Sequence, residues 1–205
     1  LDEADRMLDM GFMPDLKRIM ELLPTQRQTL LFSATFAPEI KKLADQFMQS
    51  PILIEVAKQN ATNDKVEQRA YAIESARKRE LLVSLLKTEA WRQVLVFTRT
   101  RQGAERLCRD LKRDGVESEA IHGDKTQQAR TAALEGFKQG QISVLVATDV
   151  AARGLDIDEL PYVVNYELPN TPEDYVHRIG RTGRGGKSGI AISLVSPEEH
   201  KQLHA

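Results

Sequence analysis

Short aliphatic and β-branched runs alternate with amphipathic stretches along the whole chain. Residues 29–32, 52–56, 66–73, 93–98, 119–121, 143–148, 162–166 and 190–195 read as strands. Stretches with apolar residues at helical spacing lie between them, at 13–23, 38–49, 77–89, 101–114, 127–138 and 172–179. Near-continuous apolar strands separated by amphipathic helices predict an α/β fold, a parallel sheet covered by helices on both faces. Residues 58–65, Lys-Gln-Asn-Ala-Thr-Asn-Asp-Lys, are polar and aperiodic and read as a linker. Residues 66–205 then form a complete domain. Residues 1–57 hold too few strands for a core of their own and read as the end of a preceding domain.

Composition narrows this picture. A hydrophobic fraction of 41% suffices for a core, and no apolar run approaches the ~20 residues of a membrane span. Leu1 is not an initiator Met and 198–205 read as a helix still running, so the chain is expected to be cut at both ends. The single cysteine, Cys108, excludes an internal disulfide and a zinc site built on cysteine pairs. It shares helical spacing with Ala104, Leu107 and Leu111 and is expected in the core of a cytoplasmic protein. A net charge of -1 gives no bulk argument for nucleic acid, and 5% aromatics disfavour a base-stacking platform. Any nucleic acid would be held by phosphate and sugar.

In open α/β sheets ligands bind beyond the carboxyl ends of the strands, and the distinctive residues cluster there. Residues 147–156, Ala-Thr-Asp-Val-Ala-Ala-Arg-Gly-Leu-Asp, leave a buried strand and enter a loop. Gly154 would let a ligand approach the backbone, and Asp156 could accept from a ribose hydroxyl. Residues 177–184, His-Arg-Ile-Gly-Arg-Thr-Gly-Arg, carry three arginines whose charges call for an anionic partner. Arg181 and Arg184 are spaced to converge on one phosphate. Singly, the first segment fits a helix cap and the second a solvated basic turn.

Together and in this order, the two segments resemble the DEAD-box family of ATP-dependent RNA helicases, in superfamily 2. Four more segments carry the resemblance over essentially the whole chain. They are Asp2-Glu-Ala-Asp5, Ser33-Ala-Thr35, Val96-Phe-Thr-Arg-Thr100, and His122-Gly-Asp124 followed by Gln127 and Arg130. Within that family the chain resembles the bacterial RhlE-like subgroup.

The resemblance implies two RecA-like domains that close on ATP and RNA, bending one strand away from its complement. It implies that Asp2 holds Mg²⁺ through water and that Glu3 orients or deprotonates the attacking water. Ser33, Thr35 and His177 would couple that site to strand separation. Gly154 and Asp156 would bind the nucleotide, and Arg181 and Arg184 would act as arginine fingers. Thr100, Arg101, Gly123, Asp124, Gln127, Arg130 and Thr148 would hold the RNA backbone without reading sequence. Gln102 stands where some members carry a basic residue, which leaves that contact to Arg101. The implied parent is a monomeric cytoplasmic ATPase with no membrane partner.

Residues 183–188, Gly-Arg-Gly-Gly-Lys-Ser, imitate a phosphate loop. They lack the first glycine, where Arg181 stands, and they follow a helix and open a strand, so they are rejected as a nucleotide cradle. No true phosphate loop occurs in the 205 residues. Its expected place is upstream, in the missing N-terminal half of the parent chain, and these residues alone are expected to be inactive. Two rivals remain open on sequence, a non-catalytic RNA-binding platform and a DNA-directed motor of the same superfamily.

Overall fold

The computed structural model describes residues 1–33, 38–54, 65–152, 157, 160–183 and 186–203. The chain divides into two compact units, Leu1–Ala61 and Thr62–Ala205.

In the first unit, α1 (Ala4–Asp9), α2 (Met13–Glu21) and α3 (Pro38–Phe47) are the described helices. Ala4, Ile40 and Leu43 form a small core where α1 meets α3. The strand expected over 29–32 is not a regular strand. Those residues are extended and reach the segment before α1, with Phe32 N donating to Leu1 O at 2.9 Å and Ala4 N to Phe32 O at 3.0 Å. The strand expected over 52–56 is also not found. Residues 52–54 have no regular structure and 55–56 lie outside the described residues. Apolar β-branched composition favours a strand but does not supply the neighbour that completes its ladder; among the described residues, 29–32 meet 1–4 through only a few backbone hydrogen bonds. Leu22, Leu30, Phe32, Ile52, Leu53 and Ile54 accordingly stay exposed within this unit.

The second unit runs β1 (Val66–Ala72), α4 (Lys78–Thr88), β2 (Val94–Phe97), α5 (Arg101–Arg113), β3 (Ser118–Ile121) and α6 (Gln127–Lys138). It continues with β4 (Val144–Ala147), α7 (Asp149–Ala152), β5 (Tyr162–Asn165), α8 (Pro172–Ile179), β6 (Gly189–Val195) and α9 (His200–Leu203). A short 3₁₀ turn, Pro197–Glu199, leads into α9, where the sequence predicts one continuous helix. The strands form one parallel sheet in the order β1-β6-β5-β2-β4-β3.

The apolar runs explain the layering. Every residue of β2 (Val-Leu-Val-Phe) and β4 (Val-Leu-Val-Ala) is buried, as a strand covered on both faces requires. Val94, Val96, Val144 and Val146 point to one face and pack with Leu82 and Leu86 of α4 and Leu107 and Leu111 of α5. Leu95, Phe97 and Leu145 point to the other and pack with Ala133 and Phe137 of α6. Each such side chain contributes about 1.5–3 kcal/mol when fully buried. Cys108 lies in the first of these cores, as expected, and burial pushes its thiol above the usual value.

Threonines start the helices that matter for the site. Thr100, Thr126 and Thr171 accept from backbone N–H groups at the starts of α5, α6 and α8. A capping hydroxyl of this kind contributes about 1 kcal/mol. The parallel register brings the carboxyl ends of β2, β4 and β3 to one edge of the sheet.

Candidate functional site

Three loops gather at that edge because β3, β4 and β2 are neighbours. Thr100 and Arg101 follow β2, Gly123 and Asp124 follow β3, and Thr148 follows β4. Arg101 Nη1 donates to Asp124 Oδ1, with both side chains largely exposed. The Cβ position of Gly123 lies 3.6 Å from the Arg101 guanidinium, so the turn passes directly beneath that fork. Thr148 is buried and its N–H donates to Ile121 O at 3.4 Å, tying the β4 loop to the β3 loop. Gln127 is exposed on the first turn of α6 and accepts from Arg130 Nη1 at 3.4 Å. The Nε of Arg130 is buried without a hydrogen-bond partner. The structure therefore brings Arg101, Gly123 and Asp124 into direct contact and sets Thr100, Thr148 and the first turn of α6, with Gln127 and Arg130, on the segments that follow the same three strands.

Behind them lies a layer that sequence reasoning missed. His122 is buried and its Nε2 is 2.8 Å from Glu105 Oε1. Its Nδ1 accepts from Asp124 N at 3.3 Å, which assigns the proton to Nε2. Lys125 beside Glu105 holds that carboxyl below its usual value, against the opposing effect of burial. The turn carrying Gly123 and Asp124 is thus pinned to α5 from below.

A second missed feature joins two motifs. Arg178, on α8 immediately after His177, is 2% exposed. Its guanidinium donates to both Asp149 oxygens, to Asn165 Oδ1 and to Glu167 O. Its Cζ also lies 5.0 Å from the centre of the Phe97 ring. On sequence, Arg178 is one of three arginines whose charges call for an anionic partner. That partner is internal, the Asp149 carboxylate. The available signal was helical spacing, since Tyr175, Arg178 and Ile179 share a face of α8 and Ile179 is a core residue.

His177 is half-buried on α8, and Arg181 is half-buried in the turn that follows. This turn is held tightly. Leu160 N donates to Arg181 O at 3.1 Å, and the Thr182 hydroxyl donates to Leu160 O. A Cβ on Gly189 would stand 1.7 Å from Thr182 Oγ1 and 2.7 Å from Gly183 N, so only glycine fits where β6 passes the turn. The segment containing Lys187 and Ser188 opens β6, as the rejection of the phosphate-loop imitation requires.

In the first unit, Asp2 and Glu3 precede α1 and are exposed. Asp2 Oδ1 accepts from Glu3 N at 2.9 Å, and Glu3 takes left-handed backbone angles (φ 50°, ψ 49°). Such strain on a non-glycine residue costs about 1–3 kcal/mol and concentrates at functional positions. The pairing of residues 30–32 with 1–4 sets Ser33 beside this segment, and its Oγ is buried with no hydrogen-bond partner among the described residues. Thr35, Gly154, Asp156 and Arg184 lie outside the described residues.

The exposed Asp2 carboxylate suits Mg²⁺, which keeps several waters and takes one or two carboxylates together with phosphates. No cluster of three or more metal-ligating side chains forms among the described residues. A dedicated protein cage is therefore not the donor set offered there.

Comparison with known proteins settles the family. The helicase conserved C-terminal domain matches residues 77–186, and the DEAD/DEAH box helicase family matches residues 1–43. The chain belongs to the DEAD-box helicase family. It is 49% identical over 203 residues to the DEAD-box ATP-dependent RNA helicase RhpA of Helicobacter pylori (strain B128), covering 99% of this chain and 41% of the relative. It is 47% identical over 207 residues to the ATP-dependent RNA helicase RhlB of Pseudomonas syringae pv. tomato, covering 100% of this chain and 52% of the relative. The DEAD-box chain thus spans about half the length of these relatives. Among solved structures, S. cerevisiae Dbp5 bound to RNA and ADP BeF3 matches with a TM-score of 0.88 and 34% identity, over 100% of this chain and 54% of that one. The sheet and its flanking helices are the RecA-like architecture of DEAD-box helicase domains. No described helix of this DEAD-box chain is long and apolar enough to cross a membrane.

Proposed function

We infer that this chain supplies the second half of an RNA-stimulated ATPase that unwinds and remodels short RNA duplexes. Residues 1–57 are then the end of a first RecA-like domain, 58–65 a linker, and 66–205 the second RecA-like domain. The observation that carries this reading is the buried Arg178–Asp149 pair. It fixes the residue after Thr148 to the residue three before Arg181, so a backbone-binding loop and an arginine loop move as one body.

Thr100, Arg101, Gly123, Asp124, Gln127, Arg130 and Thr148 hold the RNA backbone. Arg181 and Arg184 act as fingers on the nucleotide, with Gly154 allowing it close to the backbone and Asp156 at its ribose. Asp2 would hold Mg²⁺ through water, and Glu3 would orient or deprotonate the attacking water. When bound, Mg²⁺ neutralises charge on the β- and γ-phosphates. Ser33, Thr35 and His177 carry the coupling, and the unpaired Ser33 hydroxyl supports a role for it. The relatives' names support ATP and RNA as ligands, while a cytoplasmic location, a monomeric parent and an RhlE-like subgroup rest on the family resemblance alone.

Full-length protein tests this with ATP turnover measured against RNA and DNA of equal length. Stimulation by RNA alone is expected. Equal stimulation by DNA, or none by either, overturns the reading. The 205-residue chain alone is expected to show no turnover in the usual enzyme range of ~1–10³ s⁻¹.

A further inference from the structure

A cavity of about 390 Å³, lined by charged and polar residues, opens between α5 and the turn after β3. Its rim is shared with the candidate backbone contacts Arg101 and Asp124, but most of its wall is not. Gln102, Arg106 and Arg109 of α5 line it, with His122 and Glu105 also in its wall. Positions 102, 106 and 109 fall on one stripe of the helix, and the buried Ala104, Leu107, Cys108 and Leu111 fix that stripe outward.

The charges in the cavity do not cancel evenly. Asp124 is matched by Arg101 and Glu105 by Lys125, and the His122 ring is hydrogen-bonded to Glu105. Arg106 and Arg109 are both exposed and have no hydrogen bond or ion pair among the described residues. Two uncompensated guanidinium groups therefore face an open cavity whose carboxylates are already occupied. An anion with at least two charges in sequence fits this arrangement.

We propose that the cavity, through Arg106 and Arg109 with Gln102 beside them, is a second RNA-backbone site that takes the phosphates flanking those held at Arg101 and Asp124. The proposal rests on the reading of that rim as an RNA contact. Side chains three apart on a helix have Cβ atoms roughly 5–6 Å apart, so the two forks suit neighbouring phosphates. From Arg101 to Arg109 the helix rises about 12 Å. At about 6 Å between neighbouring phosphates, that spans roughly two intervals, or about three phosphates along one strand. No aromatic residue lines the cavity, so the site grips the backbone and does not select bases. The continuous rim favours the same RNA strand over an acidic peptide.

The test is RNA affinity of the full-length protein against salt, using oligouridylates of about 6 and about 20 nucleotides, with Arg106→Gln/Arg109→Gln beside wild type. The variant is expected to lose roughly 10–30-fold in affinity for the longer RNA near 0.1 M salt, with a log–log salt slope shallower by about 1.4. Its affinity for the short RNA and its melting temperature stay as in wild type. Arg101→Gln is the control, expected to weaken both lengths. If wild type binds neither RNA, the functional reading fails and the proposal falls with it. If Arg101→Gln weakens both lengths while the double variant keeps long-RNA affinity and slope, the cavity proposal alone is overturned. Unchanged RNA binding with lost capture of poly-glutamate by the double variant would assign the cavity to an acidic peptide and also overturn it.

Discussion

Arg178 holds Asp149 in a two-pronged ion pair, with Nε 2.6 Å from Oδ1 and Nη2 2.8 Å from Oδ2. The pair crosses from α8 to the start of α7, and Arg178 is buried within it. The Asn165 amide oxygen and the Glu167 carbonyl take the third arm of the same guanidinium.

Arg178→Ala is therefore expected to destabilise the chain by about 3–5 kcal/mol, because it strands the partly buried Asp149 carboxylate. Arg178→Lys should recover little, since one ammonium cannot meet four acceptors arranged around the plane of a fork. Denaturant unfolding of each variant measures this. A loss below about 1 kcal/mol for Arg178→Ala would show that the pair is dispensable.

Acid should weaken the second unit through Glu199. Burial opposes ionisation there, but hydrogen bonds from Lys78, Ser196 and Leu168 outweigh it and hold the carboxyl below its usual value. The folded state thus binds this proton less readily than the unfolded chain. The stabilisation is fully present above the unfolded value of about 4.3 and is lost as pH falls through the lower folded one. Glu199→Gln should be less stable at neutral pH by about 3–5 kcal/mol, with a shallower acid limb. Parallel acid limbs for variant and wild type in unfolding curves from neutral pH to below 4 would contradict this.

Gly189→Ala should destabilise by about 1–3 kcal/mol through overpacking, since the new methyl meets Thr182 Oγ1 and the Gly183 amide. The shift would fall on the turn that carries Arg181. Thermal unfolding reads the first effect, and ATP turnover of the full-length protein reads the second. A melting temperature equal to wild type would mean that the turn and β6 separate freely.

Arg181→Ala and Arg184→Ala in the full-length protein should damage turnover far more than ATP binding. Arginine fingers contribute roughly 10³–10⁵ in rate, about 4–7 kcal/mol of barrier. Charge that develops only in the transition state is what such groups stabilise, so ground-state affinity changes little. Lysine should rescue neither position. ATP affinity, RNA-stimulated turnover and melting temperature together decide it. Turnover within about tenfold of wild type, with a clear fall in melting temperature, would make these arginines structural braces.

The central strands were legible because β2 and β4 are apolar at every position, a pattern that only a doubly covered strand sustains. The bounds of α6 and α8 were legible too, because a threonine precedes each first turn. Residues 29–32 and 52–56 misled for the opposite reason, as their composition speaks of burial and is silent about partners. The loops after β2, β3 and β4 could be placed at one edge because parallel topology dictates it. The partner of Arg178 could not. Asp149 lies 29 positions away along the chain, and whether a guanidinium turns inward depends on what the fold brings to meet it. The His122–Glu105 contact stayed hidden likewise, since it joins a helix to a turn on the following strand.

The pairing of β1 with β6 carries a consequence for synthesis. Val66 sits opposite Gly189 and Ala72 opposite Val195, so the first strand of the sheet to leave the ribosome closes on the last. At about 5–20 residues per second, β1 waits roughly 6–25 s for its neighbour. During that interval Val66 and Ala191, which share a small core with Ile179, cannot meet. The nascent domain must therefore remain open at one edge until nearly all of it has been made. A stall between α8 and β6 would leave a sheet with its final seam unsewn.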